Sequence, residues 1–230
     1  MLFFIIAFVM AIPELSYKNS GKSKAKGSVR DGQLENAYLI PYSGKNFRYF
    51  SPLSYYLLNN GYTHSSTCQT VLDAYKICET TCPGIQFRIM ECSDKKGGKL
   101  LIHRTHQNGT SVDFMVPKKK KSKQSTFWDH LGMWHYLLEF NNQGQLNVNK
   151  NVAIDFETIG KHILALDDSA RKNGMRIKKI ILKIELKDDL YKTPSGKKVK
   201  ARGIYVVQGL TPIVNKVHDD HYHVDFVFLK

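Results

Sequence analysis

Two short stretches hold five of the nine histidines in the chain. One is HRTHQNGTSVD, with His103, His106 and Asp113; the other is HDDHYH, with His218, His221 and His223. Zinc takes neutral imidazole nitrogen and carboxylate oxygen at about 2.0 to 2.2 Å, and a catalytic site keeps one of its roughly four positions open for water. Two histidines and one aspartate meet that need. Hydrolysis of an amide asks for more: a group must take a proton from the attacking water, and charge on the oxyanion must be stabilised. A histidine one strand pleat from a ligand, as in His221-x-His223, can do this.

The pair H-x6-D, from His106 to Asp113, followed by H-x-H, from His221 to His223, resembles the signature of metallopeptidases that cut peptidoglycan peptides. More closely, HRTHQNGTSVDF with HDDHYHV is similar to the penicillin-insensitive murein endopeptidases, which carry H-x-x-H-Q-x-G-x-x-x-D and then H-x-x-H-x-H. The stretch GQLENAYLIPYSGKNFRYF resembles that family's opening strands, so the likeness runs over roughly residues 31 to 230. The resemblance implies that His106, Asp113 and His223 hold Zn2+. It makes His221 the catalytic histidine, assisted by His218, and has His103 line the site, with Gln107 and Gly109 as turn residues. The implied reaction is hydrolysis of the D-alanyl to meso-diaminopimelyl cross-link between stem peptides, without a serine nucleophile. The alternatives are a D,D- or L,D-carboxypeptidase on the same scaffold, or a wall-binding protein without catalysis.

The elements that must position these residues follow from periodicity. In SVDFMVP, Val112, Phe114 and Val116 share one face and Asp113 takes the other. In HYHVDFVF, Tyr222, Val224, Phe226 and Phe228 share one face, while His221, His223 and Asp225 take the opposite one. If the two strands are neighbours, Asp113 and the histidines project to the same side. STCQTVLDAYKICETTC has helical spacing, with Ser65 or Ser66 as N-cap and Pro83 beyond its end. DFETIGKHILALDDSARKNG forms a second helix stopped at Gly174, followed by the strand IKKIILKIEL. The fold class is α+β: a central antiparallel sheet flanked by helices, with the zinc site on one sheet face.

Other residues receive plainer readings. Asp225 orients a ligand imidazole from behind or sits in solvent, and Asp219 and Asp220 form a turn in preference to hydrogen-bonding His218. His64, His130, His135 and His162 read as surface or satisfied core histidines. Trp128, Trp134 and Tyr136 read as core packing rather than an aromatic wall. The lysine run KKKKSK, residues 118 to 123, reads as a solvated loop.

A chain of 230 residues suits one domain. Residues 1 to 12 read as a secretory signal or a weakly membrane-associated segment, 13 to 32 as a flexible basic linker, and 33 to 230 as the metallopeptidase domain. With 34 Lys+Arg against 20 Asp+Glu, the net charge of +14 favours an anionic partner. Peptidoglycan, rich in carboxylates, fits. Nucleic acid is not expected, since metal-dependent nucleases gather carboxylates for magnesium and the candidates here are mostly imidazole. Cys68, Cys78, Cys82 and Cys92 suit disulfides in an oxidising compartment, with three pairings open, so the expected location is periplasmic or secreted.

Overall fold

The computed structural model describes residues 12–100 and 103–229. The apolar run from Leu2 to Ala11 lies outside them. Among the described residues, no helix is long and apolar enough to cross a membrane.

Five strands build the central sheet: β3 (Phe47–Tyr49), β4 (Phe87–Ile89), β5 (Ser111–Met115), β6 (Met175–Ile181) and β7 (His221–Phe228). Their order across the sheet is β6-β7-β5-β4-β3. All neighbours are antiparallel except β3 and β4, which run parallel and make the sheet mixed. Helices α1 (Ser65–Thr81) and α2 (Phe156–Lys172) pack together on one face, as their apolar stripes require. Tyr75 of α1 and His162 of α2 meet Phe114 and Tyr222 there. The opposite face carries the polar residues of β5 and β7. That face too is covered, so His221 through Phe226 are all buried.

The register of β5 and β7 sets the site. His223 pairs with Asp113, Tyr222 with Phe114 and Asp225 with Ser111, so His223 and Asp113 project from adjacent strands to the same side. A slip of one residue would turn every imidazole into the helix layer. Stacking of Phe114 on Tyr222, with ring centroids 5.5 Å apart, opposes that slip from the apolar face.

Several expectations change. The segment read as a flexible linker contains β1 (Lys24–Gly27), which pairs in an antiparallel hairpin with β2 (Gly32–Glu35). It is also tied down before that hairpin: the Tyr17 hydroxyl donates to the Ala37 carbonyl at 2.7 Å. Its low apolar content misled because these bonds use backbone and tyrosine rather than a hydrophobic face. The N-cap of α1 is His64, not a serine; its Nδ1 accepts from the Ser66 amide at 3.1 Å. The lysine run is exposed from Lys120 to Lys123, as read, but its first residues are not a solvated loop. Lys118–Lys120 is a strand pairing with Val152–Ile154, and fully buried Lys118 contacts Asp129 at 2.7 Å. All four cysteines are buried free thiols, not disulfide partners. Trp134 is 71 % exposed rather than packed in the core, whereas Trp128 and Tyr136 do pack against it.

Candidate metal centre

The loop from His106 to Thr110 delivers the first half of the cluster. His106 itself adopts a left-handed backbone, φ 71°, a conformation costly for a residue with a Cβ and therefore held by its surroundings. Those surroundings are specific: the Gln107 amide donates to Val29, and the Gln107 carbonyl accepts from Gly98. Gly109 follows at φ 75°, where an added Cβ would lie 2.6 Å from the backbone nitrogen of His64. Glycine is required there on both counts.

Three donor atoms then converge. His106 Nε2 lies 3.2 Å from Asp113 Oδ2, His223 Nδ1 lies 2.7 Å from Asp113 Oδ1, and the two imidazole nitrogens are 3.1 Å apart. His103 approaches the same carboxylate oxygen as His106, its Nδ1 3.8 Å from Asp113 Oδ2. His103, His106 and Asp113 together could hold a metal ion. Either His103 or His223 can complete the pair of His106 and Asp113. His223 has the shorter contacts and a supported ring.

That support is Asp225. Its Oδ1 accepts from His223 Nε2 at 2.6 Å and from the Ser111 hydroxyl at 2.6 Å, and Lys179 Nζ stands 3.2 Å from Oδ2. Of the two sequence readings for Asp225, the orienting one holds: it is fully buried, not solvated. With Nε2 committed as a donor, Nδ1 is the nitrogen left for the cluster.

The electrostatics of the cluster are set by imidazoles gathered on a buried carboxylate. Burial alone would raise the Asp113 pKa, yet the adjacent His106 and His223 hold it well below the usual carboxylate range. Burial would lower His223, but Asp225 and then Asp113 raise it to about 10. Two buried carboxylates flanking one imidazole favour a positive charge at this position. A divalent ion can supply that charge in place of a proton, because it satisfies the same carboxylate more strongly. His106 Nδ1 and His103 Nε2 are both buried without a hydrogen-bond partner among the described residues.

Beside this cluster, His221 and His218 each have one nitrogen fixed. Asp220 Oδ1 lies 2.6 Å from His221 Nδ1, and the Val214 carbonyl lies 2.6 Å from His218 Nδ1. In both rings Nε2 is the nitrogen left over. Their rings sit 4.7 Å apart. Burial lowers the His221 pKa, but the charge and hydrogen bond of Asp220 outweigh it and the net shift is upward. Burial, and then the charge of His221, push His218 down to about 3, so that ring is neutral at physiological pH.

The expected residues therefore gather, with one exception. Gln107 is buried and lines a surface pocket of about 390 Å³ with Gly32, Gly98 and Lys99, and among the described residues its side chain makes no hydrogen bond to the imidazoles. Sequence reading missed three others. Asp220, read as part of a turn, orients His221. Glu91, fully buried, accepts from the Ser54 hydroxyl at 2.8 Å, and burial raises its pKa to about 7. Tyr136 stands edge-on to His221 with centroids 6.1 Å apart. The signal for Glu91 was there: a lone acid inside the apolar run IQFRIMECS. His64, His135 and His162 are buried and partnered and His130 is exposed, as read.

No protein-family model and no curated protein matches the chain.

Proposed function

We propose that the protein is a zinc-dependent hydrolase of peptidoglycan peptide cross-links, related to the penicillin-insensitive murein endopeptidases and acting in the periplasm or outside the cell. The observation that supports this reading is the convergence of His106, Asp113 and His223 beside an Asp220–His221 pair. The donor set is two imidazoles and one carboxylate, the chemistry of a catalytic zinc site rather than a magnesium site. When bound, zinc supplies Lewis acidity toward a scissile carbonyl and lowers the pKa of a water to about 7.

The chain's own residues supply the rest. Asp225 fixes the tautomer and angle of His223, and Ser111 and Lys179 hold Asp225 in turn. His221, with Nδ1 occupied by Asp220, has Nε2 available to take a proton from the attacking water and return it to the leaving amine. His218 remains neutral and offers a hydrogen bond without adding charge. A net charge of +14 suits a substrate bearing several carboxylates.

Digestion of purified cross-linked peptidoglycan, with and without a chelator, tests this. We expect new amine termini at diaminopimelate that disappear with chelator and return with zinc. Release of products that chelator does not affect would contradict it.

A further inference from the structure

A second polar site lies on the face that carries the imidazole cluster, at the far edge of the sheet. Arg48 of β3 and Arg88 of β4 are register partners on parallel strands, so their side chains leave the sheet side by side. Ile89 pairs with Phe114 and shares its face toward the helices; by alternation Arg88 and Arg48 take the face of Asp113. From His221 the strands β5, β4 and β3 follow in order, which puts Arg88 about 10 Å and Arg48 about 14 Å away at a spacing of about 4.8 Å per strand.

Two cations held directly opposite each other destabilise a sheet unless something compensates them. Arg88 is only 8 % exposed, and among the described residues the one hydrogen bond of its guanidinium is from Nη1 to the carbonyl of Phe87 at 3.2 Å. A guanidinium carries five donors. Among the described residues no carboxylate lies within 4.0 Å of either arginine, and the nearby Asp129 is already engaged by Lys118 at 2.7 Å. Burial lowers the pKa of Arg88; Asp129 opposes this and Arg48 adds to it.

The two arginines line a pocket of about 340 Å³ with Ser43, Gln86, Thr126 and His130. Two hydroxyls, an amide and an imidazole thus accompany two guanidinium groups, with no acid among the lining residues. Such a set matches the planar, multiply accepting geometry of an oxyanion.

We propose that the pocket of Arg48 and Arg88 is an oxyanion-binding site, for a carboxylate or a phosphate, distinct from the imidazole cluster. It does not depend on the zinc reading. If that reading holds, the pocket lies on the substrate side of the sheet, where a carboxylate remote from the scissile bond would anchor.

Isothermal titration with two probes, inorganic phosphate and the peptide acetyl-Ala-Ala, tests the proposal on the protein as purified. We expect saturable binding of at least one probe, weakened roughly tenfold or more in Arg48→Gln and in Arg88→Lys. Lys197→Gln, an exposed lysine on the helix layer, should leave it unchanged. Arg48 is exposed, so its substitution keeps the fold even should Arg88→Lys fail to fold. Tighter binding of the peptide identifies a carboxylate source, and tighter binding of phosphate a phosphate source. Absence of saturable binding by both probes, or binding undiminished in Arg48→Gln, would overturn the proposal.

Discussion

Asp225 Oδ1 lies 2.6 Å from Nε2 of His223, two residues away on the same strand and the same face. That contact decides which nitrogen of His223 turns toward His106 and Asp113. Loss of a carboxylate that orients a metal-binding imidazole costs about 10- to 100-fold in metal affinity. We expect a weakening of that size for Asp225→Asn, measured by zinc titration against a competing chelator.

His103 and His223 both approach Asp113, at 3.8 and 2.7 Å. Zinc titration of the two alanine variants separates them. His223→Ala should abolish tight binding, whereas His103→Ala should weaken it by less than about tenfold, since its nitrogen is the more distant and lacks an orienting carboxylate. The reverse order would assign the third ligand to His103.

Asp220 and His221 form a pair that bears on turnover, not on metal retention. We expect His221→Ala to keep one equivalent of zinc and lose about 10²- to 10⁴-fold in kcat, the usual contribution of general acid–base catalysis. Asp220→Asn should show a smaller loss together with a shifted pH–rate profile, because the raised His221 pKa depends on that carboxylate. A pH profile unchanged in Asp220→Asn would separate the two residues functionally.

His162 predicts the acid limb of stability. It sits in the helix layer with Nδ1 2.6 Å from the Tyr222 hydroxyl, and burial lowers its pKa from 6.5 to about 3. A depressed folded-state pKa means the contribution is present above pH 6.5 and is lost as pH falls toward 3; complete loss is on the order of 5 kcal/mol. The double variant His162→Leu with Tyr222→Phe removes both polar partners. Its stability, followed by urea unfolding, should fall less steeply between pH 6.5 and pH 3 than that of the unmodified chain.

Gly109→Ala should lower stability by roughly 1–3 kcal/mol, from the left-handed backbone and the clash with the His64 amide together. A shift in thermal midpoint reads this directly. The same change should weaken zinc binding, because His106 sits three residues earlier in the same loop.

The strict alternation of β5 and β7 made their polar and apolar faces readable, and the two long helices declared themselves through apolar spacing and the stop at Gly174. What periodicity cannot supply is the pairing partner of a charged residue. Lys118 looks solvated in a lysine run because nothing nearby in sequence announces Asp129, eleven positions later, as its buried partner. Asp220 looked like a turn residue because its neighbour His221 begins the strand; only the folded chain shows its carboxylate on the imidazole. The parallel pairing of β3 with β4, and with it the juxtaposition of Arg48 and Arg88, is likewise a long-range choice that local pattern does not encode.

Zinc binding to metal-stripped protein, measured calorimetrically alongside His106→Ala and Asp113→Ala, is the most direct measurement. We expect one equivalent of zinc taken up by the unmodified chain with release of protons, and neither tight uptake nor proton release in the two variants. Zinc uptake in both variants indistinguishable from that of the unmodified chain would contradict a centre built on His106, Asp113 and His223.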